Sequence, residues 1–517
     1  MLNKHTLTDY EPVTPSKARA RAMRDAVAPE DVWASDGAAT ANDANRNGRE
    51  TATENLAERM EESAAAGLPR AAALELKRGH LFSYLGLFLF TVVLYFRPYE
   101  LHPSLAGLTS MAYWLAVVTL AVFLPTQLAL EGNLTARPPE VKLVLLLCVA
   151  ALLSIPLAIN PGEAWTAFNY PFIRAVAIFI VIINVVRTPR RLKGLMFLGL
   201  AVSSFLSVGA INDYRLGRVA VAEGERVAGV VGGMFGNPND MALHLVTMIP
   251  LAIGLLLSTR KALVKPLYFV CALLMLGGVI VSFSRGAFLG LLGSGIVLAW
   301  KLGRRNRFLM WLLVGVFLVA LIAIAPGEYT ERLSTIGSVS RDASSSSRRD
   351  LLVRSVIVAL HNPVFGVGIG NFHIVSIREL VSHNAYTQVA AEMGMAAMCI
   401  YIMFLVVPFR RLRLIERATY EGRRGSRIYY LSVALQASIV AYMISSFFGS
   451  VAYQFYAYYL IGYAVALRRM HEAETGLAVV PLSKKEKRQR ADEESVRNSA
   501  TEFPESTDRA HALRAGV

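Results

Sequence analysis

Residues 265–307 read KPLYFVCALLMLGGVIVSFSRGAFLGLLGSGIVLAWKLGRRNR. Two apolar runs, 266–283 and 286–300, flank one charged residue, Arg285, and basic residues close the stretch at both ends. Runs of this order, roughly 15–25 residues, match the length a helix needs to cross a ~30 Å hydrocarbon core. The stretch therefore predicts a helical hairpin across a membrane. Its turn falls at Ser284–Arg285, and both ends lie on the side that carries the basic residues.

Working outward, the same pattern recurs. About twelve spans are expected, at 81–96, 107–130, 141–159, 172–186, 195–211, 241–257, 266–283, 286–300, 308–325, 385–409, 428–447 and 453–467. The connections 187–193, 260–265, 301–307 and 410–427 are all basic, as are Lys77 and Arg78 before the first span and Arg468 and Arg469 after the last. With twelve spans every one of these falls on one side, which the positive-inside rule makes the cytoplasm, with both termini there. The other side receives 97–106, 160–171, 212–240, the break at Ser284–Arg285, 326–384 and 448–452.

The expected fold is an all-α integral membrane protein with about twelve transmembrane helices. A polytopic membrane domain spans 77–469, with one long periplasmic loop, 326–384, that carries short helices. The polar segments 1–76 and 470–517 are expected to be disordered cytoplasmic termini. The N-terminal segment has no apolar h-region, which argues against a cleaved signal peptide.

Composition agrees. The chain has 517 residues, 54% hydrophobic and 18% charged, against about 25% charged in soluble domains. An ordinary soluble enzyme is excluded. The net charge, 53 − 38 = +15, sits largely in the short basic connections, so it reports topology rather than nucleic-acid binding. Cys148, Cys271 and Cys399 fall inside apolar runs and read as small buried hydrophobes.

Four places carry polar chemistry on the outer side. Arg285 has small or polar neighbours, Ser282, Ser284 and Gly286. It either snorkels to lipid headgroups or faces a pocket, where its planar fork pairs two phosphate oxygens at once. The segment 229–240 ends in Asn237-Pro238-Asn239-Asp240, a helix-start signal; it is a plain cap or an anion site at a helix N-terminus. Arg348 and Arg349 open a helix-like stretch in which Leu351, Leu352, Val356, Ile357 and Leu360 share a stripe, as in a surface-lying amphipathic helix. Either arginine can face solvent, headgroups or an external anion.

Ser382-His383-Asn384-Ala385-Tyr386 lies where the long loop meets the next span, with His383, Tyr386 and Thr387 expected on one helix face. His383 reads as a structural histidine or as a general base, since neutral imidazole suits that role near neutral pH. Glu392, further along, is expected to pair with another helix. Gly366, Gly368 and Gly370 miss the dinucleotide-binding spacing. There is no P-loop and no outer D-x-D pair, which argues against ATP hydrolysis and a metal-dependent transferase. Few acidic residues fall in the spans, which weakens the alternative of a proton-coupled or lipid-glycan transporter.

Together, F-G-N-P-N-D at 235–240, S-R-G-A at 284–287, an arginine followed by N-P-V-F-G-V-G-I-G-N-F ending at 372, and S-H-N-A-Y at 382–386 with Glu392 and Gly394 resemble the O-antigen ligase / O-antigen polymerase family of bacterial polytopic membrane glycosyltransferases. The resemblance covers about 230–410. It implies transfer of a glycan from an undecaprenyl-diphosphate carrier to an acceptor hydroxyl on lipid A core, protein or another glycan, at the periplasmic face of the inner membrane. No metal or cofactor is implied. By the same resemblance Arg285 and either Arg348 or Arg349 bind the diphosphate and His383 acts near the acceptor, with Asn237, Asn239, Asn384 and Tyr386 in support. The Trp usual in the family a turn after the second arginine is missing here, which leaves both arginines as candidates.

Overall fold

The computed structural model describes residues 79–218, 227, 231, 232, 235–308, 310, 315, 343–423 and 426–476. The disordered termini expected at 1–76 and 470–517, the span at 308–325 and the loop's first part, 326–342, lie almost wholly outside the described residues. Described elements are all helical, with no strand among them.

The helices, in order, are α1 (Leu81–Phe96), α2 (Met111–Glu131), α3 (Pro139–Ser154), α4 (Pro161–Ala167), α5 (Ile173–Val185), α6 (Pro189–Arg215) and α7 (Pro238–Ser258). They continue as α8 (Lys265–Val281), α9 (Arg285–Leu302), α10 (Ala343–His361), α11 (Ala385–Met393), α12 (Met395–Ala418), α13 (Arg427–Ser445) and α14 (Phe455–Thr475). A helix that starts inside or against hydrocarbon must satisfy its first N–H groups locally. Here side chains do so. Asn160, Thr188, Asn237, Ser284, Asn384 and Ser426 cap α4, α6, α7, α9, α11 and α13.

Nine helical stretches among the described residues are long and apolar enough to cross a membrane. The other three expected spans differ for separate reasons. One is the span outside the described residues. Another, α3, has only 16 residues. The third, α14, is central: almost every residue from Phe455 to His471 is buried. It faces protein rather than lipid, so tyrosines (456, 458, 459, 463) and two arginines replace the aliphatic residues that lipid contact would require.

Contacts sort the connections onto two ends. At one end Glu140 takes Arg468 bidentately, at 2.7 and 3.0 Å. Glu416 pairs with Lys301 and Arg304, and Glu131 with Arg187 at 2.8 Å. The opposite end holds the starts of α7, α9, α11 and α14. Helices near that end approach through small residues. On α9, a Cβ at Gly290 would lie 2.1 Å from Ser445 Oγ and one at Gly293 2.2 Å from Ile444 Cδ1, both on α13.

Several expectations need correction. The span at 385–409 is two helices, because Gly394 breaks it with φ 91°. On α10 the buried face is Leu351, Ser355, Val358 and Ala359, whereas Val356, Ile357 and Leu360 are exposed. Of the expected stripe, Leu351 thus packs inward and Val356, Ile357 and Leu360 stay on the outer face of the helix; the packed face meets Phe372, Ala390 and Ala391. Cys399 is exposed, not buried, although Cys148 and Cys271 are buried. α14 runs to Thr475, past the expected start of the disordered tail at 470.

Gly394→Ala tests the break. Its φ belongs to glycine, and an added Cβ would lie 2.2 Å from the Val364 carbonyl oxygen. Backbone strain of this kind costs ~1–3 kcal/mol before the clash, so the variant should unfold at a clearly lower temperature in detergent. An unchanged melting temperature would show that the loop yields freely.

Candidate active site

Four segments converge at the end opposite the ion-paired one. Asn237 caps α7, its Oδ1 accepting the Asn239 N–H at 2.8 Å. The Ser284 hydroxyl donates to Asn239 Oδ1 at 3.1 Å, which ties the start of α7 to the start of α9. Arg285, half-buried, is the first residue of α9. Its place follows from the tight turn at Ser282–Ser284, where Phe283 takes φ 52°.

The connection between α13 and α14 bridges this pair to the long loop. The Ser445 hydroxyl donates to the Gly286 carbonyl at 3.2 Å, and a Cβ on Gly286 would lie 2.7 Å from Phe448 Cβ. Two residues beyond Phe448, Ser450 Oγ accepts the His383 N–H at 2.9 Å. Asn384 caps α11 by accepting the N–H groups of Tyr386 and Thr387 at 2.9 and 3.0 Å. The Tyr386 hydroxyl donates to the Met443 carbonyl at 2.8 Å. Arg285 and His383, distant in sequence, thus flank one short connection.

His383 stands just before the cap, with φ 52°, rather than on the helix face with Tyr386 and Thr387. Burial pushes its imidazole down from 6.5 to about 4, and the positive charge of Arg348 pushes the same way. The ring is therefore neutral at physiological pH and able to accept a proton. Arg348 is half-buried, whereas Arg349 is exposed. Of the two candidate arginines, Arg348 is the one whose charge acts on His383.

A base of this kind has a pH signature. The acid limb of kcat/KM should fall near pH 4, not near 6.5. Arg348→Gln removes a positive charge that disfavours the imidazolium, so the limb should move to higher pH whatever happens to the rate. A limb that stays in place would separate Arg348 from His383.

Glu392 pairs with two loops rather than with another helix: its Oε2 accepts the Tyr453 hydroxyl at 2.7 Å and the Gly370 N–H at 3.0 Å. Gly366, Gly368 and Gly370 all have positive φ. They let the loop close over the end of α11, with Val367 N–H on Ala391 O and Gly368 N–H on Glu392 O. That loop is a structural clasp.

Sequence reading missed the connection 445–450, which touches both halves of the site. Its signal was faint: serines and a glycine, Ser445-Ser446-Phe447-Phe448-Gly449-Ser450, where a short hydrophobic turn would have sufficed.

The fold and these segments together define a polytopic helical membrane protein with a polar cluster at one end. Residues 270–402 match the family model described as O-antigen ligase, which makes this stretch O-antigen ligase-like. The matched residues include Arg285, Arg348, His383 and Glu392. No curated protein matches the chain significantly.

Proposed function

We propose that the protein transfers a glycan from an undecaprenyl-diphosphate carrier to an acceptor hydroxyl at the periplasmic face of the bacterial inner membrane, with both termini cytoplasmic. The observation that supports this reading is that the segments bearing Arg285 and His383 both meet the 445–450 connection, with the charge of Arg348 acting on His383, and that all three residues fall in the O-antigen ligase-like stretch.

In the reaction, the acceptor oxygen attacks the anomeric carbon. The bond from that carbon to the diphosphate breaks, and its electron pair leaves with the diphosphate. Negative charge grows on the leaving group, where fixed guanidinium donors stabilise it best. Arg285 and Arg348 fill that role. His383 takes the hydroxyl proton as the new bond forms. A single displacement inverts the anomeric centre. Asn237 and Asn239 hold the start of α7 against Ser284, and Asn384 and Tyr386 fix the segment that bears His383.

A ligase and an O-antigen polymerase share this chemistry and differ in the acceptor: lipid A core or protein for the first, another carrier-linked glycan for the second. The deciding experiment is transfer by purified protein from a carrier-linked glycan to a panel of acceptors. No transfer to any acceptor, with binding of the donor intact, would favour the lipid-glycan transporter reading. Because two cations already face the diphosphate, transfer should proceed unchanged in EDTA; loss that magnesium restores would replace the arginine clamp with a metal.

A further inference from the structure

The same end of the bundle contains a second feature, away from His383. A cavity of about 750 Å³ lies between α1, α2 and α5. Its lower wall is apolar, with Phe90 and Leu94 from α1, Val117 and Leu120 from α2, and Ile178 from α5. Its rim is polar and aromatic, with Arg97, Tyr113, Tyr170, Arg174 and Asp240. Along α1 the wall descends from Arg97 to Phe90, ~10 Å at 1.5 Å per residue. That depth fits within one leaflet, about half of a ~30 Å core.

One side of the cavity is formed by an outlying helix. α2 is the outlying helix: it packs on α1, and only 17% of its apolar window is buried. Val117, Tyr113 and Tyr170 are exposed, so no described helix covers this side of the cavity.

Charge at the rim is uneven. Arg97 is balanced by Glu100 at 2.7 Å. The Arg174 guanidinium instead lies 4.6 Å from the Tyr170 ring centroid and 5.7 Å from that of Tyr113. No carboxylate pairs with it among the described residues. Asp240, also on the rim, forms no ion pair with Arg174 and approaches Gly449, where an added Cβ would lie 3.7 Å from its Oδ1. A cation held by aromatic rings above an apolar wall lacks one thing, an anion that also brings a hydrocarbon chain.

We propose that this cavity binds one anionic glycerophospholipid of the surrounding leaflet, its phosphate on Arg174 and an acyl chain between α1 and α2. The site goes beyond the transferase reading and does not depend on it. Through Asp240, beside Asn239 at the start of α7, the bound headgroup borders the cluster that holds Arg285.

The test uses the full-length protein in detergent with phosphatidylglycerol, phosphatidylethanolamine, phosphatidylcholine and polyprenyl phosphate at equal concentration, read by native mass spectrometry. One phosphatidylglycerol should be retained in preference to the other three. Arg174→Gln should lower its retention about tenfold, the effect of removing one charge-assisted contact. Val117→Trp, which fills the cavity from an outlying helix and leaves Arg174 in place, should lower it as much with no change in melting temperature.

Equal retention of phosphatidylethanolamine or phosphatidylcholine would overturn the anionic assignment. Preference for polyprenyl phosphate would overturn the choice of occupant. Retention unaffected by both substitutions would remove the site. None of these readouts passes through glycan transfer, so failure here leaves the proposed reaction standing, and an inactive enzyme leaves this site standing.

Discussion

His383→Ala should lower glycan transfer ~10²–10⁴-fold, the usual contribution of a positioned general base, while protein level and membrane insertion stay at the wild-type value. Inserted protein is the right comparison because His383 sits at φ 52°, where alanine is disfavoured by ~1–2 kcal/mol. His383→Asn removes that ambiguity. Asparagine tolerates the left-handed region and keeps the backbone N–H that Ser450 Oγ accepts, yet cannot take a proton from an alcohol. Both variants should be equally inactive. Wild-type transfer by either would take His383 out of the mechanism.

Arg285→Lys should cost nearly as much as Arg285→Gln. Lysine keeps the charge but loses the planar fork that grips two oxygens. Losing one preorganised donor to a growing negative charge costs ~10²–10³-fold in turnover. The alternative role, an arginine reaching for headgroups at the membrane surface, predicts the opposite order, with lysine almost as good as arginine. A reconstituted transfer assay separates the two: near-normal rates for the lysine variant would assign Arg285 to the lipid interface. Its place as first residue of α9, beside the Ser284–Asn239 contact, favours the pocket.

The helical membrane architecture was legible from hydrophobic run length and from the basic connections, because both reflect the bilayer rather than the details of packing. What run length could not give was the behaviour of helices surrounded by protein. α14 is rich in tyrosine and carries Arg468 and Arg469, since its neighbours are other helices and its charges meet Glu140 and Glu131. The break at Gly394 was hidden inside an unbroken apolar run. It becomes intelligible only once the Val364 carbonyl is seen against it.

The polar segments of the site were visible as short motifs, since each is a departure from an apolar background. Their meeting was not. It depends on Phe448 against Gly286 and Ser450 beneath His383, contacts that no periodicity encodes. Likewise the two adjacent arginines, indistinguishable in sequence, differ once α10 is oriented, because one helical position separates a half-buried guanidinium from an exposed one.

The bidentate grip of Arg468 on Glu140 joins the last described helix to the third, and it bears on how the chain is made. Glu140 is synthesised long before Arg468, and an uncompensated carboxylate in a lipid-facing bundle is strongly unfavourable. Early helices must therefore wait, with that acidic group at the water boundary, until the ribosome has delivered α14. A nascent chain cut short before residue 455 would be left unfinished at its centre and open to clearance by membrane proteases. Surveillance of this kind would let only completed molecules reach the stage at which the Arg285 and His383 segments meet at the 445–450 connection.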